Sequence, residues 1–176
     1  MNKLTIILLM FSGILTILSG CREELVKPEE VIAYRSGNDS LFVIDNPDLK
    51  MQLFLPRDLL ISNRGSVGFN DLTGKLEIRI GESFMLDMFE GTIDLKKLRQ
   101  DLREEPLFEY TFIPHGDKSL TYVAYLPGSR MHFYHHIEEL EINGRPYVVK
   151  TSPEGTFSKQ HIQWMQNCIS SIRGVH

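Results

Sequence analysis

Apolar and polar positions divide this chain into stretches of three kinds. The first is one continuous apolar run, residues 4–18, interrupted only by Thr5, Ser12, Gly13 and Thr16. The second is alternation. Leu49, Met51, Leu53 and Leu55 are separated by Lys50, Gln52 and Phe54, and Leu76, Ile78 and Ile80 by Glu77 and Arg79. A period of two predicts strands with one buried face. Pro56 stops the first of them, since it has no amide to donate. The third kind repeats every three to four residues. Leu95, Leu98 and Leu102 share a face, with Lys96, Lys97, Arg99 and Asp101 outward, Asp94 at the capping position and Pro106 closing the segment. Ile162, Met165, Ile169 and Ile172 form a second such stripe, capped by Ser158. Both predict amphipathic helices.

Between these lie further strand signals. Residues 40–44 and 49–55 flank the turn residues Asp45-Asn46-Pro47-Asp48, and residues 84–89 follow Gly81. Residues 107–113 and 119–126 are rich in Phe, Tyr, Thr and Val around Pro114-His115-Gly116-Asp117; such side chains fit a pleated surface. Residues 131–142 read as a long strand that returns through Asn143-Gly144, a pair suited to positive φ, into residues 147–150. Residues 62–74 and 152–155 read as loops, and residues 21–39 as a flexible polar tether. The expected fold is one α+β domain over residues 40–176, an antiparallel sheet covered by two helices.

The apolar run has a basic start at Lys3 and a small-residue exit at Ser19 and Gly20, and it is shorter than the roughly 20 residues of a spanning helix. Those features describe a secretory signal peptide over residues 1–20. Leu18-Ser19-Gly20-Cys21 resembles the bacterial lipoprotein box at every position. The resemblance implies cleavage before Cys21, a diacylglycerol on its thiol and an acylated new amino terminus. Three acyl chains, at about 0.8 kcal/mol per buried CH₂, would hold the domain to a membrane without appreciable release. Arg22, where an aspartate would be the usual inner-membrane retention signal, favours the outer membrane. Cys21-Arg22-Glu23-Glu24 resembles the surface-export signal of Bacteroidetes lipoproteins, so the periplasmic face and the cell surface both stay open. Asp39-Ser40-Leu41 resembles the O-glycosylation motif of the same group, which implies a sugar on Ser40.

Charge narrows the partners. Of the 19 Lys and Arg only Lys3 lies in residues 1–20, and none of the 23 Asp and Glu does, so residues 21–176 carry a net −5. That balance argues against nucleic acid, which calls for a basic patch. The chain has two cysteines, Cys21 and Cys168. With Cys21 lipidated, Cys168 is either a reactive thiol, a dimer bridge or a small apolar residue packed in the last helix. Its place three residues after Met165 points to packing.

The early strand ending in proline (Met51-Gln52-Leu53-Phe54-Leu55-Pro56) and the late Asn143-Gly144-Arg145-Pro146-Tyr147-Val148-Val149 resemble the PsbP-like fold of photosystem-associated proteins and small bacterial lipoproteins such as DcrB. The ending Cys168-Ile169-Ser170-Ser171-Ile172-Arg173 fits the same pattern. The likeness implies a PsbP-like sandwich that binds or stabilises larger assemblies, with no catalytic or cofactor residue to carry over.

No phosphate loop, metalloprotease motif, CxxC or nucleophile elbow occurs. The one constellation is His132, Tyr134, His135, His136 and Glu138. On a strand His132 and His136 share a face with Glu138, while His135 points the other way. Two imidazoles and a carboxylate suit zinc, but strand positions four apart are about 13 Å distant, too far for one ion. A polar sheet face is the competing reading. Glu138-Glu139-Leu140-Glu141 could supply an acid and a base, or mark a solvated strand edge. Tyr122, Tyr125, Phe133 and Tyr134 could form a binding surface. The expected function is a lipid-anchored envelope protein without catalysis or cofactor, acting on an unknown protein partner as accessory or scaffold. An immunity or inhibitor protein against a toxin or lysozyme is one alternative, and a metal-dependent hydrolase built on the histidine strand another.

Overall fold

The alternating stretches do form strands, and every pairing between them is antiparallel. The computed structural model describes residues 32–36, 39–46, 49–57, 60 and 65–175. The leader, Cys21 and residues 22–31 lie outside them. In chain order the elements are β1 (Ile32–Ser36), β2 (Asp39–Asn46), β3 (Leu49–Pro56), β4 (Gly65–Asn70), β5 (Lys75–Ile80) and β6 (Phe84–Glu90). Then come α1 (Leu95–Glu104), β7 (Glu109–Pro114), β8 (Ser119–Tyr125), β9 (His132–Ile142), β10 (Arg145–Thr151), α2 (Lys159–Ser171) and β11 (Arg173–Gly174). This is the expected α+β class, with two sheets where one was expected: β1-β2-β3-β11, and β4-β5-β6-β10-β9-β8-β7.

Three expectations change. Ile32–Ser36, placed in the tether, pairs with β2, Ser36 lying opposite Asp39. The Gly37-Asn38 read as linker punctuation therefore separates two paired strands, and the structured part begins before residue 40. Residues 65–70, expected as loop, pair with β5, Val67 opposite Ile78. Only Val67 of β4 is buried, so an edge strand held by main-chain bonds left too little apolar pattern to read. Finally β9, whose acidic run suggested a solvated edge, is an interior strand between β8 and β10.

One core joins both sheets. Leu49, Met51, Leu53 and Leu55 of β3 meet Ile162, Met165, Cys168 and Ile169 of α2, and both meet Ile78, Leu86 and Val149 of the large sheet. Cys168 is 1% exposed, which fits the packed-residue reading. The end of α2 is tied down twice: the Phe54 amide donates to Ser171 Oγ at 2.8 Å, and β11 pairs with β3. Ser158 caps α2 as expected, and His161 completes the reciprocal capping box. At Asn143-Gly144 the φ values are 52° and 77°, the two positive values a tight hairpin demands.

The other face of the large sheet carries α1. Asp94 accepts from the Lys96 and Lys97 amides at 2.9 and 3.0 Å, and those bonds, led by that from Lys97, hold its carboxyl below the usual range. The chain leaves β6 in the middle of the sheet and re-enters at the far edge as β7. α1 bridges that distance above β10, β9 and β8. Leu95 and Leu98 meet Leu120, Ile137 and Val148 in a small second cluster, yet no residue of α1 is buried. No helix among the described residues is long and apolar enough to cross a membrane.

Candidate functional site

β9 sends its histidines to two different environments. His132 lies at the exposed end of the strand, its ring edge-on to Tyr125 at 5.7 Å. His136 is 1% exposed and faces α2. Its Nε2 lies 3.2 Å from Glu138 Oε2, and its Nδ1 lies 2.8 Å from Thr121 Oγ1 and 3.2 Å from Gln166 Nε2. The carboxylate accepts from an Nε2–H, and the Gln166 amide also donates to Thr121 Oγ1 at 3.1 Å. His132 and His136 share a face as expected, but no third ligand joins them: the described residues contain no group of three His, Cys, Asp or Glu placed to hold a metal ion.

A carboxylate, an imidazole and a hydroxyl in a row have the order of a nucleophilic relay. Here the hydroxyl belongs to Thr121, which is 5% exposed and hydrogen-bonded by Gln166 of α2 at 3.1 Å. That hydroxyl is buried beside α2 rather than presented on a surface. No buried polar side-chain atom of the cluster lacks a partner, which is what a buried network needs to be tolerated. The cluster therefore stitches β8, β9 and α2 together. Glu138 and Glu139 point to opposite faces: Glu138 accepts from His136, while Glu139 accepts from the Ile93 amide at 3.3 Å and pairs with Lys118 at 3.3 Å.

His135 belongs to the other face and lines a cavity there. The space, about 490 Å³, lies between α1 and the sheet, within the roughly 300–1,000 Å³ of small-molecule sites. Leu98 and Leu102 of α1 roof it, with Ile93 at its near end. Phe89, Tyr122, Phe133, Ile137 and Lys150 rise from the strands, Phe108 and Tyr110 come from the β7 side, and residues 153–156 close one end. Alternation explains the set: Tyr122 and Ala124 of β8 share a face with Phe133, His135 and Ile137 of β9. The four aromatics singled out in the sequence therefore separate. Tyr122 and Phe133 line the cavity, Tyr134 packs against the main core, and Tyr125 bonds Thr111 through its hydroxyl at 2.7 Å.

The cavity wall is aromatic and largely uncharged at neutral pH. His135 stacks on Tyr122 at 5.2 Å, meets Phe157 edge-on at 6.1 Å, and places Nδ1 3.3 Å from Thr151 Oγ1. Burial holds its imidazole below the ordinary 6.5. Burial, then the hydrogen bond to Glu105, pushes Tyr110 up to about 12, and burial raises Tyr122 as well. Lys150 supplies a cation, its ammonium 5.9 Å from the centre of the Phe89 ring. The loop beneath is held by close fit: a Cβ on Gly155 would collide with the buried Phe157 ring. Sequence reasoning missed Phe108, Tyr110 and Lys150 as site residues. Only the packing of α1 over the sheet brings them together, and no local pattern marks that.

No family model matches this chain, and no curated protein or solved structure matches it either.

Proposed function

We propose that this chain is a lipid-anchored envelope protein that acts by binding. Cys21 carries the lipid and holds the domain at the bacterial outer membrane, on the periplasmic face or the cell surface. The domain serves as an accessory or scaffold of an envelope complex and performs no catalysis. The order of strands, helix, strands, helix and the helix that closes the domain favour a PsbP-like relationship. The observation that carries the reading is the contrast between the two faces of the large sheet. On one, the polar groups are mutually satisfied and buried under α2. On the other, α1 and the sheet border an aromatic-walled cavity of about 490 Å³, the size of a small-molecule site.

An immunity or inhibitor role is the second reading. Leu107, Leu126 and Met131 are 64%, 41% and 56% exposed at the end of the sheet where Glu109 pairs with Tyr125 and Tyr125 with His132. Large apolar side chains grouped at a surface suit a protein partner. Crosslinking in intact cells, then capture of the full chain from solubilised membranes, tests both. One stoichiometric partner, lost with Cys21→Ala, is expected. A structural envelope protein would fit the scaffold role, and a secreted toxin or lysozyme the inhibitor role. Capture that is unchanged by Cys21→Ala would overturn the anchored reading.

A further inference from the structure

The cavity beneath α1 has a shape and a polarity. Lys150 lies opposite Ile137 in the β9–β10 ladder, and Phe133 stands four residues back along β9, about 13 Å away at the rise of a strand. At the Phe133 end the Phe108 ring meets it edge-on at 6.3 Å. At the Lys150 end the ammonium sits over Phe89. The space is therefore a slot, roofed by Leu98 and Leu102 and floored by aromatic rings, with its positive charge toward one end. No carboxylate among the described residues lies within ion-pair distance of Lys150. Asp87, its neighbour across the ladder, is already engaged by Arg79. Glu154 also borders the slot but stands in water, where its field is screened.

α1 adds an independent observation. Its leucine stripe is regular, yet none of its residues is buried. Leu95 and Leu98 reach the small cluster on the sheet, while Leu98 and Leu102 also border the slot, so part of the apolar face is available to a bound apolar group.

We infer that the slot binds a single-chain amphiphile with an anionic head, its acyl chain lying between α1 and the floor from Phe89 to Phe133 and its carboxylate or phosphate on Lys150. The inference deepens the proposal that the protein acts by binding and rests on it. Free fatty acids and lysophospholipids both present this chemistry.

Equilibrium binding to the full chain, held in nanodiscs of neutral phosphatidylcholine, tests it, with protein-free discs as the baseline. The probes are radiolabelled decanoate, a lysophosphatidylglycerol with a ten-carbon chain, and decanol. At least one anionic probe should bind saturably, one per chain, and about tenfold more tightly than decanol. The tighter of the two anions identifies the source. Lys150→Met should weaken the anion about tenfold and leave decanol unchanged. Ala124→Phe, which fills the floor beside Tyr122, should abolish binding of all three while the thermal transition persists. Absence of saturable binding above the empty discs overturns the inference. So does equal binding of decanol and both anions with no effect of Lys150→Met, a comparison that stands even if Ala124→Phe does not fold. If the probes fail while crosslinking still yields a stoichiometric protein partner, the binding role survives and only the amphiphile is lost.

Discussion

His135 and His136 leave β9 on opposite faces, and that one-residue difference decides what each can do. His136 is held by Glu138, Thr121 and Gln166 and serves as a buried joint. His135 stacks on Tyr122 in the cavity wall, where burial keeps it below 6.5. The sign of the resulting pH dependence follows. Between the folded and the unfolded value, the unfolded chain binds the proton and the folded chain does not, so stability falls as pH drops below about 6.5 and levels off beneath the folded value. His161 is shifted in the same direction by burial, so part of the slope belongs to it. The urea midpoint should fall between pH 7 and pH 5, and His135→Phe should reduce that fall. An unchanged slope in His135→Phe would mean that the ring is solvated in the folded chain.

The two helices share a pattern and differ in what they cover. Both stripes and both caps were legible in the sequence, because capping and a 3.6-residue period are local properties. What the stripes cover was not. α2 buries Ile162, Met165, Cys168 and Ile169 between two sheets, while α1 buries nothing fully. Local opening costs least where few apolar contacts are lost. Hydrogen exchange should therefore run markedly faster in α1 than in α2. Asp94→Ala, which removes the acceptor of the Lys96 and Lys97 amides, should speed exchange in α1 and leave α2 unaltered. Equal protection of the two helices would show that α1 is packed down on the sheet. Strands divide in the same way. Leu49 to Leu55 announced β3 through its alternation, whereas β4 stayed hidden because an edge strand with one buried side chain carries almost no pattern.

Across the molecule, α2 and the β3 sheet close one face of the large sheet, and α1 spans the other. Cys168 lies at the meeting of α2 with that main core, so its accessibility reports on the whole fold. In Cys21→Ala, where it is the sole thiol, a soluble thiol reagent should modify it only as the chain unfolds. The rate should be slower than in concentrated urea by a factor on the order of 10³ or more, given ordinary domain stability. Rapid labelling of the folded chain would mean that α2 separates from the sheets without global unfolding.

The amino-acid sequence by itself determined the features that depend on neighbours along the chain. These are the apolar run of residues 4–18 and the Leu18-Ser19-Gly20-Cys21 that ends it, the α+β class, both helices with their caps, the Asn143-Gly144 hairpin, and the separation of His135 from His136 by alternation. The tertiary structure decided which of these meet. It inserted β10 between β6 and β9, made β9 an interior strand, split the four aromatics between core, edge and cavity, and carried α1 across the sheet so that Leu98, Phe108, Tyr122, Phe133 and Lys150 surround one space. Strand order and helix crossing depend on contacts between residues far apart in sequence. A local pattern reports only that a face is apolar, and not what comes to lie against it.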